Sequence, residues 1–139
     1  MTVMDIAEFE SMMAAEFPQA ARLGAEIEHL DDAGIHLRLT VAERHLRPGG
    51  TVSGPGMMEL CDFAVYLPVL SRVGPVALAV TTNLNINFMR KPETGEIIAD
   101  ARLMKLGKHL AVGEVTIGSP GEAEAYDHTT LTYAIPPGM

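Results

Sequence analysis

Between Gly56 and Arg72 the chain reads GMMELCDFAVYLPVLSR, in which Met57, Met58, Leu60, Cys61, Phe63, Ala64, Val65, Leu67, Val69 and Leu70 cover nearly every direction around a helix. A helix apolar on almost all sides is a buried one, so a central helix is predicted over about 55–72, with Pro68 kinking or loosening its last part and Gly74-Pro75 stopping it. Near the N-terminus Ile6, Phe9, Met13 and Phe17 recur at spacings of three and four, with Asp5 before them and Pro18 after. That is the pattern of a short amphipathic helix over about 4–17. Elsewhere the period is two. Ile35, Leu37, Leu39 and Val41 alternate with His36, Arg38 and Thr40 in a hairpin over 25–41 that turns at Asp31-Asp32. Further on, Leu78, Val80, Leu84, Ile86 and Phe88 are read onto one strand face, and Ala79, Thr81, Asn83, Asn85 and Asn87 onto the other. Strands over 96–104, 110–117 and 126–135 follow, joined by turns at Pro92 to Gly95, Gly107-Lys108 and Ser119-Pro120-Gly121.

A hairpin, one buried helix and four strands with short links describe an α+β domain whose antiparallel sheet curls around the helix. The 139 residues make one such domain, 1–139, and are too few for two independent cores. An open sheet edge in this arrangement invites a second subunit.

Composition narrows the function. The net charge is -8 with ten Lys and Arg, which argues against a general nucleic-acid binder, since counterion release needs a broad basic surface. The single cysteine, Cys61, excludes an internal disulfide, a CxxC zinc site and a redox pair. No metal and no cofactor is therefore expected, and a reducing cytoplasmic compartment is. The first residues, MTVMDIAEFE, carry acids where a signal peptide carries Lys or Arg, and no run of eighteen apolar residues lacks a charge. A soluble protein without a membrane segment is the expectation.

Within the apolar helix Glu59 and Asp62 stand at i and i+3, and Tyr66 continues the same stripe. Such a stripe either faces solvent, as acidic stripes commonly do, or presents a carboxylate to a cleft as general base or nucleophile. The helix begins at Ser53-Gly54-Pro55-Gly56, which reads as an ordinary capped start or as a place where the Gly54 N–H, unpaired in the first turn, stabilises an oxyanion. Cys61 is read as a core thiol, and His109 and His128 as strand and turn residues.

The segment RPGGTVSGPGMMELCDFAVY resembles the signature of PaaI-like hotdog thioesterases, in which an Asn and a Gly lead to His-Gly-Gly and then to a helix with Leu-x-Asp-x-Ala, here Leu60-Cys61-Asp62-Phe63-Ala64. The stretch TTNLNINFMRKPETGEIIADARLMKLGKHLAVGEVTI is similar to that family's central strand, Pro turn and following strands. The resemblance implies a hotdog fold, a sheet wrapped around one long helix, and hydrolysis of acyl-CoA by a homodimer or homotetramer. It implies that Asp62 is the catalytic carboxylate, that Gly54 polarises the thioester carbonyl and that Thr81 helps to position water. The sequence departs from the signature at Ser53 for the His, Pro55 for the second Gly and Arg47 for the Asn. Arg47 is expected to compensate with positive charge. Arg90 and Lys91, with Arg102, Lys105 and Lys108, are read as a cation cluster for the CoA phosphates, Arg90 foremost, the other reading being solvated turn residues.

Two alternatives stand beside hydrolysis. One is a hotdog module that binds an acyl thioester without cleaving it. The other is a hydroxyacyl dehydratase-like site, because His45 and Glu59 have the fourteen-residue spacing of that branch, with Gly54 between them.

Overall fold

The computed structural model describes residues 4–18, 23–32, 34–74, 78–92 and 95–136. Asp5 accepts a hydrogen bond from the Glu8 N–H at 2.8 Å while the Glu8 carboxylate accepts from the Asp5 N–H at 3.3 Å. This reciprocal cap starts helix α1, Ile6–Glu16. Phe9, Met12 and Met13 are its buried residues. Phe17, just past its end, lies edge-on against Tyr66 with ring centroids 5.8 Å apart.

Strands β1 (Ala25–Leu30) and β2 (Gly34–Thr40) form the predicted hairpin. The Asp31 carboxylate accepts from the Gly34 N–H at 3.1 Å and fixes its turn. Ile35, Leu37 and Leu39 point to the core, as alternation requires. Gly34 is forced by sterics, since a Cβ there would meet the Ala101 carbonyl oxygen at 1.9 Å.

Helix α2 runs Gly54–Val73, close to the predicted bounds. Its stretch from Leu60 to Ser71 is buried apart from Asp62 and Phe63, which are partly so. The helix continues past Pro68 for more than a turn, with the Ser71 hydroxyl donating to the Pro68 carbonyl at 2.8 Å. Packing on the sheet thus holds a turn that the proline was expected to loosen. Gly74, at φ 100°, ends the helix as read, and its predicted partner Pro75 lies outside the described residues.

The remaining strands are β3 (Val80–Phe88), β4 (Glu96–Leu106), β5 (Leu110–Gly118) and β6 (Asp127–Ala134). The centre of the expected turn from Pro92 to Gly95, residues 93 and 94, lies outside the described residues. All six strands form one antiparallel sheet in the order β1-β2-β4-β5-β6-β3, curved around α2. Small residues on the inner face, Ala99, Ala101, Ala111 and Gly113, let the helix approach. At Gly113 a Cβ would stand 2.9 Å from a Val65 methyl, so glycine is required for that contact. This is the α+β hotdog fold, one long helix wrapped by a curved sheet.

One strand departs from its predicted faces. In β3 the register against β6 shifts between Thr81 and Asn83. A bulge sets two residues against one and reverses the alternation beyond it. Ala79 and Thr81 therefore share the inner face with Leu84 and Ile86, whereas Val80 is 56% exposed. Leu78, also read onto the apolar face, precedes the strand and is exposed.

Candidate active site

The bulge is what brings Thr81 to Asp62. Thr81 Oγ1 donates to Asp62 Oδ1, and Tyr133 Oη from β6 donates to the same oxygen. Tyr133 Oη also lies 3.0 Å from the Asp62 carbonyl. Burial, with the Asp62 carboxylate beside it, pushes the Tyr133 phenol well above its ordinary range, so it keeps its proton and serves as a donor. Helix and two strands thus fix one carboxylate oxygen of a half-buried aspartate, and Oδ2 has no donor among the described residues.

The helix stripe splits as it runs inward. Glu59 is exposed, Asp62 half-buried, and Tyr66 buried between Phe17 and Tyr133, the latter ring centroid 5.9 Å away. The solvated reading holds for Glu59 and fails for the other two. A pocket of about 100 Å³ is lined by Glu59, Asp62, Phe63, Tyr66, Tyr133 and neighbours from the N-terminal segment.

At the helix start the amides can be accounted for one by one. Ser53 is the N-cap, its Oγ accepting from the Gly56 N–H at 3.0 Å and its carbonyl from the Met57 N–H at 3.1 Å. Pro55 has no N–H. Of the first turn only the Gly54 N–H lacks an acceptor among the described residues. A Cβ on Gly54 would make only ordinary contact with Phe88, at 3.5 Å. Packing within the chain therefore does not demand glycine here, and the missing side chain leaves that N–H open to approach. A second pocket, of about 450 Å³, lies at this helix start and includes Arg47, Gly54, Met57, Phe88, Arg90 and Lys91.

The predicted cation cluster does not assemble in the chain. Lys91 precedes β4, whereas Lys105 and Lys108 lie at its far end, roughly 30 Å away at the ordinary rise per strand residue. Arg102 is paired with Glu114 across to β5. Arg90, the foremost candidate, has its guanidinium on Glu122 at 2.6 Å and on the Glu124 carbonyl at 2.8 Å, and stacks over the Tyr126 ring at 4.3 Å. Its charge is committed to the loop between β5 and β6. Arg47 and Lys91 are the exposed cations at the pocket.

His45 closes a short 3-10 turn, Glu43–His45, and is buried. Its Nδ1 accepts from the Ala42 N–H at 2.9 Å, so the proton sits on Nε2, which donates to the Leu23 carbonyl at 3.0 Å. Both ring nitrogens hold backbone, and the dehydratase-like pairing with Glu59 has no support in this geometry.

Sequence reasoning missed Tyr133 and Asp127. Cys61 is buried as expected, 3.3 Å from Thr129 Oγ1 and 3.9 Å from Asp127 Oδ1. Desolvation, then the Asp127 charge, pushes its thiol far above the normal range. Asp127 is itself fully buried, its Oδ2 without a partner among the described residues, and burial pushes its carboxyl up to about 7. The signal was available: alternation along β6 puts Asp127, Thr129, Leu131 and Tyr133 on one face, the inner one.

Among the described residues no cluster of metal-ligating side chains occurs, and no helix is long and apolar enough to cross a membrane.

A curved antiparallel sheet wrapped around one long helix is the architecture of the hotdog proteins. Residues 49–125 match the Thioesterase superfamily, and the chain belongs to that family. A solved candidate thioesterase from Silicibacter is 46% identical, with a TM-score of 0.88 over 99% of this chain and 95% of that one. A candidate esterase of Halobacterium salinarum is 33% identical over 78% of this chain and 75% of its own length. The Escherichia coli PaaI protein of the phenylacetic acid degradation operon, 21% identical, shares the fold with a TM-score of 0.80 over 94% of this chain and 92% of that one.

Proposed function

We propose that the protein hydrolyses acyl-CoA thioesters to the free acid and CoA, using Asp62 of one subunit and the Gly54 N–H of another. The observation that carries this reading is the Asp62 carboxylate held by Thr81 and Tyr133, on the same helix that opens with an amide unpartnered among the described residues. Asp62 delivers oxygen to the thioester carbonyl, either its own or that of a water whose proton it takes. The carbonyl oxygen gains charge against the Gly54 N–H. When the tetrahedral species collapses, the C–S bond breaks. In the water route the sulfur leaves as CoA thiol with the proton that Asp62 took. In the direct route it leaves as thiolate from an acyl–Asp62 anhydride, which a water then hydrolyses to the free acid, restoring the carboxylate and supplying the thiol's proton. Thr81 and Tyr133 orient the carboxylate and are positioning residues.

Gly54 and Asp62 are eight residues apart, so about 12 Å of helix rise separates them. No reacting carbon sits within about 3 Å of both groups in one chain. Strand β3 has a free edge, with exposed Val80 and Phe88. Its Thr81 end adjoins Asp62 and its Phe88 end adjoins Gly54. Antiparallel pairing of two β3 edges about a two-fold axis lays Thr81 of one chain beside the partner's Phe88, and so Asp62 beside the partner's Gly54. A homodimer is the least assembly with a complete site, and a homotetramer a pair of them. Arg47 and Lys91 supply charge for the CoA phosphates, Ser53 builds the helix start, and Glu59 lies at the pocket's rim. The lone buried thiol fits a reducing, cytoplasmic setting.

The test is thiol release from short, medium, long and aryl acyl-CoA esters by wild type and Asp62→Asn, both checked for assembly. Turnover by wild type with a loss of about 10²- to 10⁴-fold in the variant is expected. Acyl-CoA binding with no thiol release on any ester would overturn hydrolysis in favour of a binding module.

A further inference from the structure

The Asp62 pocket does not end blindly. On the other side of Phe63 lies a larger groove of about 660 Å³ between α1, β1 and α2, whose lining includes Phe9, Met13, Ala14, Ile27 and Leu67. Among the described residues Phe63 alone lines both spaces. The two adjoin along both helices: Met13 lines the groove and Phe17, four residues on, the small pocket; Leu67 lines the groove and Tyr66 the small pocket. Phe63 is only partly buried and packs against the core from the side, so its ring is a partition rather than a keystone.

Resting on the hydrolytic reading above, we propose that Phe63 sets acyl-chain length, confining wild type to short acyl groups and closing off a groove that otherwise takes a long aliphatic chain. Volume decides which side the wild type uses. About 100 Å³ at Asp62 is less than the roughly 150 Å³ of an engineered cavity that takes up a benzene ring. That is room for an acyl group of about two to four carbons. The groove beyond is several times larger, and its walls of Met, Phe, Ile and Leu suit methylenes. Its charged lining residues, Glu10 and Glu26, are both exposed carboxylates, so a chain ending in a methyl is admitted and one ending in a carboxylate repelled.

The experiment is a chain-length profile of kcat/KM on straight acyl-CoA esters from two to sixteen carbons, for wild type, Phe63→Ala, Ala14→Trp and the double variant Phe63→Ala with Ala14→Trp. Ala14 is exposed on α1 and faces the groove, not the Asp62 pocket. Wild type is expected to peak at short chains. Phe63→Ala is expected to move the peak outward by several carbons, each methylene newly buried adding up to about fourfold, with a gain of at least about tenfold over wild type at eight carbons. Ala14→Trp should cancel that gain in the double variant and leave short-chain turnover of the otherwise wild-type enzyme unchanged. Parallel profiles for Phe63→Ala and wild type overturn the assignment of Phe63, and a shift that ignores Ala14→Trp overturns the groove as the chain's path. Should Phe63→Ala not fold by circular dichroism, Phe63→Leu, which keeps apolar bulk, carries the same test with a smaller shift. Wild type that releases no thiol from any ester overturns hydrolysis itself, a result distinct from turnover with an unmoved profile.

Discussion

At the scale of single residues the site depends on where hydroxyls fall. Asp62 is on α2, but Thr81 and Tyr133, on two neighbouring strands, fix its Oδ1. Tyr133→Phe removes one donor and keeps the ring beside Tyr66, so the fold should persist. One hydrogen bond to a charged group contributes about 1.5–3 kcal/mol, so kcat is expected to fall by about 10- to 100-fold with KM little changed. Steady-state kinetics on a thioester that wild type turns over checks this. A merely structural role for Tyr133 would lower the unfolding midpoint and leave kcat per folded subunit intact.

At the scale of elements, the contact of α2 with β6 contains a conflict. Asp127 and Cys61 meet where helix and strand pack, and the Asp127 carboxyl is pushed up to about 7 from its ordinary 3.8 by burial. The Cys61 thiol, donating to it at 3.9 Å, and then His128 next to it in β6 pull its value back only in part. Below about pH 4 Asp127 is protonated in both folded and unfolded chains and costs nothing. As pH rises toward 7 the unfolded chain loses this proton while the folded chain keeps it. The folded state then binds more protons, so stability falls with rising pH, by an amount on the order of 2–4 kcal/mol once above 7. Asp127→Asn is neutral throughout. Urea unfolding of wild type and Asp127→Asn from pH 4.5 to 8 should show the variant gaining on wild type as pH rises; a constant difference would refute the buried-acid account.

At the scale of the whole molecule, Asp62 and the Gly54 N–H, the two groups of the proposed reaction, are too far apart along one helix to meet. Subunits carrying Asp62→Asn lack the carboxylate. Subunits carrying Gly54→Pro lack the N–H at a first helical position where proline's φ is compatible. Each homo-oligomer should be nearly inactive. Mixed after unfolding and refolding together, they should recover about a quarter of wild-type turnover, since half of randomly formed dimers carry one intact site of two. No recovery, with mixed dimers shown by native mass spectrometry, would place both groups in one chain.

Periodicity and local chemistry determined much of this protein from the sequence alone. An all-round apolar stretch cannot stay in water, so α2 had to be central; strict alternation and short turns forced an antiparallel sheet; and Ser-Gly-Pro-Gly before that stretch marked the helix start. The position of Asp62 on that helix was legible for the same reason, because a helix and its cap are local structures. Strand faces and partners were not local. The β3 bulge moved Thr81 to the inside, and alternation had no means of placing a residue that pairs with nothing. Tyr133 reached Asp62 from 71 positions away, and Lys91 was separated from Lys105 and Lys108 by the length of β4. Arg90 and His45, each a plausible functional group in sequence, turned inward to satisfy loop backbone and carboxylates. Sequence spacing fixes angle along one element; only the packing of elements fixes which charges and hydroxyls are within reach of each other, and that packing decided the site.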